Sequence, residues 1–161
     1  MLTDVDFRAQ AEFRYAMRRF LHFSEESARA AGITPQQHLL LLAVRGHPSY
    51  PAVNITEIAE HLQVRHHSAS LLVDRAVNRI VNEEPAPLLY RVQDSTDRRR
   101  ALVSLTPEGE DILTCITAEN RRVLTDFGSV LDNMRVSLLR AHQIDSPGHP
   151  IAPSIYITDK Q

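Results

Sequence analysis

Two strand-like runs, Leu88–Val92 and Ala101–Leu105, flank a polar segment that ends in Arg98-Arg99-Arg100. Each run is about five residues long, so the pair reads as a hairpin with a long, highly charged tip. Thr106-Pro107 follows directly, a helix cap and a first-position proline. This hairpin narrows the options most, because helical patterns surround it on both sides. The chain is therefore mostly α with one small β hairpin, neither an all-β sandwich nor a parallel α/β sheet.

Upstream, apolar positions Phe13, Ala16, Met17, Phe20 and Phe23 recur at helical spacing from about Val5 to Ala31, and Gly32 ends that helix. Thr34, Pro35 and Gln37 form a cap, first-position proline and capping box for a second helix. Leu39–Val44 is apolar all round, which predicts a centrally buried helix ending near Gly46. Asn54 and Glu57 make another capping box for a short third helix with Ile58, Ala59 and Leu62 inside. A turn at Gln63-Val64-Arg65 leads to a fourth helix predicted from about His66 to Val81, which Glu83-Glu84-Pro85-Ala86-Pro87 breaks. After the hairpin, a helix is predicted over Pro107–Leu131, spanning about 37 Å, then a separate one from Asn133 to His142. The proline-bearing segment 143–161 reads as an extended arm.

The 161 residues fit one domain, with 43% hydrophobic and 24% charged side chains. Net charge is −2, which argues against a generally polybasic chain but leaves room for a local basic patch. All cations but Lys160 are arginine, the residue suited to bidentate phosphate and base contacts. Cys115 is the only cysteine, so no internal disulfide forms and a reducing cytoplasm is expected. No apolar run reaches bilayer-spanning length, and no membrane association is expected. No nucleophile–base set, phosphate loop or metal cluster is visible, so neither an enzyme, a cofactor nor a metal site is expected.

Helix, turn, helix, then an arginine-tipped hairpin is the order of a winged helix-turn-helix. The second helix of such a pair fits the major groove, and an arginine tip reaches phosphates or the narrow minor groove. The stretch Asp94-Ser95-Thr96-Asp97-Arg98-Arg99-Arg100-Ala101-Leu102-Val103-Ser104-Leu105-Thr106-Pro107-Glu108-Gly109 resembles the wing signature of MarR-type regulators. This is the multiple-antibiotic-resistance regulator family of transcription factors. Ile58-Ala59-x-x-Leu62 and Leu72-Val73-Asp74-Arg75 strengthen the likeness, which covers roughly residues 10–140.

The resemblance implies a homodimer bound to double-stranded DNA, most simply as a repressor on a pseudo-palindromic operator. Residues 5–32 and 107–142 would form the dimer base, residues 34–106 the DNA-binding lobe, and 143–161 a tail. His66, His67, Ser68, Ser70, Leu71 and Arg75 would face DNA from the recognition helix. Arg99 aligns with the family's minor-groove arginine, Asp97 with the aspartate that supports it, and Arg98 and Arg100 with phosphate contacts. Members often bind small aromatic or phenolic anions between lobe and base, so a small aromatic or anionic effector is kept as a partner. Phe13, Phe20, Phe23 and His38, with Arg14, Arg18 or Arg19, are the residues considered for it, and none is assigned.

The chain also departs from the family pattern. Gln63 stands where the turn usually has glycine, Arg65-His66 replaces the usual Ser/Thr cap, and Leu71 stands where many members have arginine. Asn78-Arg79-Ile80-Val81 replaces the usual glycine-containing exit from the recognition helix. Two other readings stay open. One is a winged-helix protein-interaction module without DNA binding, and the other is a regulator triggered by redox or metal chemistry at Cys115. Cys115 is expected instead as a buried structural thiol. Its i, i+4 pairing with Glu119 lacks the further ligands that zinc needs.

Overall fold

A computed structural model describes residues 3–94 and 101–145. The chain opens with helix α1 (Asp4–Ala30), followed by α2 (Pro35–Arg45), strand β1 (Val53–Asn54), α3 (Ile55–His61) and α4 (His66–Val77). Strands β2 (Ile80–Val81), β3 (Glu84–Pro85), β4 (Leu89–Gln93) and β5 (Ala101–Leu105) follow, and α5 (Pro107–Asp145) closes the order.

The local chemistry that set the helix starts holds. Gln37 N–H donates to Thr34 Oγ1 at 3.1 Å while Gln37 Oε1 accepts from Thr34 N–H at 2.9 Å, closing the α2 capping box. The Asn54–Glu57 box caps α3, with Glu57 Oε2 accepting from Asn54 N–H at 3.1 Å. Thr106 Oγ1 accepts from Gly109 N–H at 3.0 Å at the start of α5 and itself donates to Pro87 O at 2.6 Å.

The expected hairpin is part of a three-stranded antiparallel sheet in the order β1-β5-β4. Leu89 faces Leu105 and Gln93 faces Ala101, while Val53 faces Val103. β1 is two residues long, too short to leave a periodic signal in the sequence. The core lies where α2, α3, α4, this sheet and the first turns of α5 converge, around Leu40, Leu41, Val44, Ile58, Val73, Leu88, Val103 and Ile116. α1 packs along α5, with Phe20 and Phe127 ring centroids 5.7 Å apart.

Four expectations are corrected. α4 ends at Val77 rather than near Val81, because Asn78 turns the chain, its side-chain amide donating to Asp74 O at 2.9 Å. Ile80-Val81 then pairs with Glu84-Pro85 as a second hairpin, and Ile80 is exposed instead of lining a helix core. The two helices expected after the wing are one helix of 39 residues, about 58 Å long, since nothing between Leu131 and Asn133 breaks it. In α2, Leu40, Leu41, Ala43 and Val44 are buried, but Leu39 and Leu42 sit on the outer face, 53% and 40% exposed. Cys115 is exposed on this chain rather than buried.

Candidate nucleic-acid interface

Helices α3 and α4 form the helix-turn-helix, and the turn between them carries its own signature. Gln63 adopts φ +54°, the left-handed conformation in which glycine is the default residue. The turn geometry is therefore kept although the usual residue is replaced. Arg65 is the N-cap of α4, and its side chain makes no cap hydrogen bond, as its sequence predicts. Its first-turn N–H groups stay available at the end where the helix dipole is positive, a favourable place for a phosphate.

α4 buries Ala69, Val73 and Ala76 and turns its other side outward. His66, His67, Ser68, Leu71 and Arg75 are exposed on that side, and Ser70 is half-buried. The helix thus brings the expected DNA-facing residues of this element together, with Ser70 set deepest. The acidic residue among them, Asp74, is held by Arg91 of β4, so its charge is neutralised within the lobe. The face keeps Arg65, Arg75 and two imidazoles as its polar character. Asp97, Arg98, Arg99 and Arg100 lie outside the described residues.

Between lobe and base the structure assembles a polar node that sequence reasoning missed. His38 of α2 is 3% exposed inside the apolar core, and burial lowers its pKa from the usual imidazole value. Its Nδ1 stands 3.5 Å from Ser24 Oγ of α1, and Asn120 Nδ2 of α5 donates to that hydroxyl at 3.4 Å. His38 Nε2 and Asn120 Oδ1 are buried without a hydrogen-bond partner among the described residues. Of the aromatics considered for an effector, Phe20 and Phe23 line a groove of about 450 Å³ between α1 and α5, with Arg19, Arg122 and Phe127 beside them. Phe13 touches Phe127 from further along, at a centroid distance of 6.4 Å. Among the described residues, no group of three or more His, Cys, Asp or Glu side chains is placed to hold a metal ion, and no helix is long and apolar enough to cross a membrane.

The model of the MarR family matches residues 31–80, the segment that holds α2, the helix-turn-helix and the start of the second hairpin. The chain is also similar to the HTH-type transcriptional repressor MdtR of Bacillus subtilis (strain 168). The two are 28% identical over 131 residues, 81% of this chain and 76% of that protein. Residues 31–80 of the chain thus match the MarR family.

The solved MarR-family structures agree with the fold. The S. aureus MepR–DNA complex is 19% identical, covers 90% of this chain and 96% of its own, and superposes with a TM-score of 0.61. Wild-type E. coli MarR in its apo form is 18% identical, covers 82% and 91%, and gives 0.58. The MarR winged helix is thus present here as α2 to β5. A second hairpin, β2 paired with β3, follows α4.

Proposed function

We propose that this protein is a MarR-type, sequence-specific DNA-binding transcriptional regulator, acting as a homodimeric repressor on a pseudo-palindromic operator and released by a small ligand. The observation that carries this reading is α4 itself. One side of it is fully committed to the core, while the other presents His66, His67, Ser68, Leu71 and Arg75 with their one acidic neighbour neutralised. That is a surface made to enter a groove lined by phosphates and base edges. MdtR carries the name of a repressor and MepR has been solved on DNA, both consistent with this role.

In this reading the recognition helix reads the major groove through His66, His67, Ser68, Ser70, Leu71 and Arg75. Arg99 enters the minor groove with Asp97 behind it, and Arg98 and Arg100 hold phosphates. Residues 5–32 and 107–142 serve as the dimer base and 34–106 as the DNA lobe, with the cytoplasm as the compartment. A small aromatic effector suits the groove of Phe20, Phe23 and Phe127, where ring stacking is on offer and Arg19 and Arg122 stand beside Glu26 and Asp126.

Fluorescence anisotropy against DNA from upstream of the protein's own gene, titrated with salt beside a shuffled duplex, tests the reading. Tight binding to the native duplex alone, with a log–log salt slope worth several phosphates, is expected. Arg75→Ala should cost about 1–3 kcal/mol and relax discrimination at one base pair per half-site. Arg99→Ala should weaken binding and leave the fold intact. Equal weak binding to both duplexes would count against autoregulation and favour a protein-interaction module.

A further inference from the structure

Arg79 follows the recognition helix, and its sequence position suggests a solvated polar residue. The structure places it otherwise. Its side chain is only 11% exposed, and its guanidinium reaches three segments that the sequence keeps apart. Nη1 donates to Ala86 O at 3.0 Å and to Glu108 Oε1 at 2.8 Å, and Nη2 donates to Gly32 O at 3.2 Å. Those acceptors belong to the exit of the second hairpin, the first turn of α5 and the turn between α1 and α2. The backbone of Arg79 joins in, its carbonyl accepting from Ala86 N–H at 2.9 Å.

Around it the junction is tied by backbone hydrogen bonds. Leu88 N–H donates to Ala76 O of α4 at 2.9 Å, and Leu88 O accepts from Thr106 N–H at 3.0 Å, just before α5. Leu88 is fully buried. The backbone chain from α4 through Leu88 to α5 therefore has a charged reinforcement, which Arg79 supplies. A planar fork with fixed donor directions suits this task, since it serves the three acceptors from two separate nitrogens, whereas an ammonium has its three donors on one.

We propose that Arg79 is a positioning residue for DNA binding, a clasp that fixes the angle of the recognition helix on the α1–α2 turn and on α5. It touches no DNA. It acts through α4, by setting the direction in which His66 to Arg75 project from the base. The inference rests on the DNA-binding reading above. Its consequence is one of spacing, because a dimer of clasped lobes accepts half-sites at one separation and loosened lobes accept several.

The test compares two duplexes. One is the sequence that the wild-type protein enriches from a random duplex pool. The other is the same sequence with one base pair inserted at its centre, which rotates the half-sites by roughly 34°. The ratio of the two affinities is measured for wild type, Arg79→Ala, Arg79→Lys and Glu108→Ala. The clasp predicts that the Arg79 variants lose affinity for the enriched duplex and that their ratio falls at least about fivefold. Arg79→Lys should behave like Arg79→Ala, since charge without the fork leaves the carbonyls of Gly32 and Ala86 unheld. Glu108→Ala should show a smaller fall.

A ratio unchanged in both Arg79 variants, with both affinities lowered in step, would assign Arg79 to general stability and overturn the proposal. So would a full ratio in Arg79→Lys. If Arg79→Ala does not fold, Glu108→Ala decides, because Glu108 is half-exposed at a helix start. A flattened ratio there supports the clasp and an unchanged one overturns it. If the wild-type protein enriches no duplex, the DNA-binding reading itself has failed, a result distinct from a wild type that binds and variants that keep its ratio.

Discussion

His38 carries the clearest consequence of a single residue. Burial holds its imidazole neutral, with a folded pKa below the usual 6.5. As pH falls below about 6.5, the unfolded chain takes up a proton that the folded chain refuses. Stability is therefore full above that value, declines as pH drops toward the lowered folded pKa, and levels off below it. Urea melts between about pH 7.5 and pH 5.5 should show this decline, and His38→Gln should remove a large part of it. An equal pH slope in wild type and variant would assign the decline to other groups. The sequence marks His38 as a polar residue beside a leucine run and a candidate for an effector site, not as part of a buried node. Its partners stand on two other helices, and Asn120 lies 96 positions from Ser24, so no local pattern could reveal the node. Arg79 was hidden for the same reason, its acceptors lying 7, 29 and 47 residues away. The outward placement of His66, His67, Ser68, Leu71 and Arg75 was legible because it follows from periodicity on one helix, once Ala69, Val73 and Ala76 face inward.

Among elements, the turns and junctions set the fold more tightly than the helices do. Gly109 in the first turn of α5 packs against the backbone of Leu88. A Cβ there would lie 2.2 Å from Leu88 O, an oxygen already bonded to Thr106 N–H and unable to retreat. Gly109→Ala should destabilise the protein by about 3 kcal/mol, the upper end of overpacking costs. Gln63 presents the opposite case. Its left-handed backbone is strained for a side chain, and Gln63→Gly should raise stability by about 0.5–1 kcal/mol, net of the added freedom of the unfolded chain. Urea midpoints measure both, and opposite signs are the expected result. The capping boxes of α2 and α3 were legible because cap chemistry is written within four residues. The exit of α4 was not. Apolar spacing runs on through Ile80, but Asn78 caps the helix, and Asn82 and Glu83 both take positive φ to close a two-residue hairpin turn. That turn type favours Asn-Gly, and glutamate in the second place masked it.

On the scale of the whole molecule, the surface of the chain is unfinished. Leu124, Leu131, Val136 and Leu139 are exposed along α5, as are Phe7, Tyr15 and Leu21 on α1 and Leu39 and Leu42 on α2. A helix of about 58 Å outruns the lobe it leaves, and its second half has no buried residue among those described through Arg140. Large apolar side chains in such numbers on the base helices are costly in water and stabilising once covered. A second copy is the cover proposed here, with α1 and α5 of the two subunits packed together. Leu124→Glu combined with Leu139→Glu should move the protein from dimer to monomer in sedimentation velocity at micromolar concentration. The same variant should keep the far-ultraviolet helical signal of the lobe, whose core around Leu41, Ile58, Val73 and Val103 does not include these positions. Operator affinity should then fall toward that of a single half-site, because a monomer forfeits the gain from joining two recognition helices. A variant that stays dimeric would place the interface elsewhere on the chain. One that turns monomeric yet keeps full operator affinity would mean that each lobe binds DNA independently, and the spacing argument for Arg79 would fall with it.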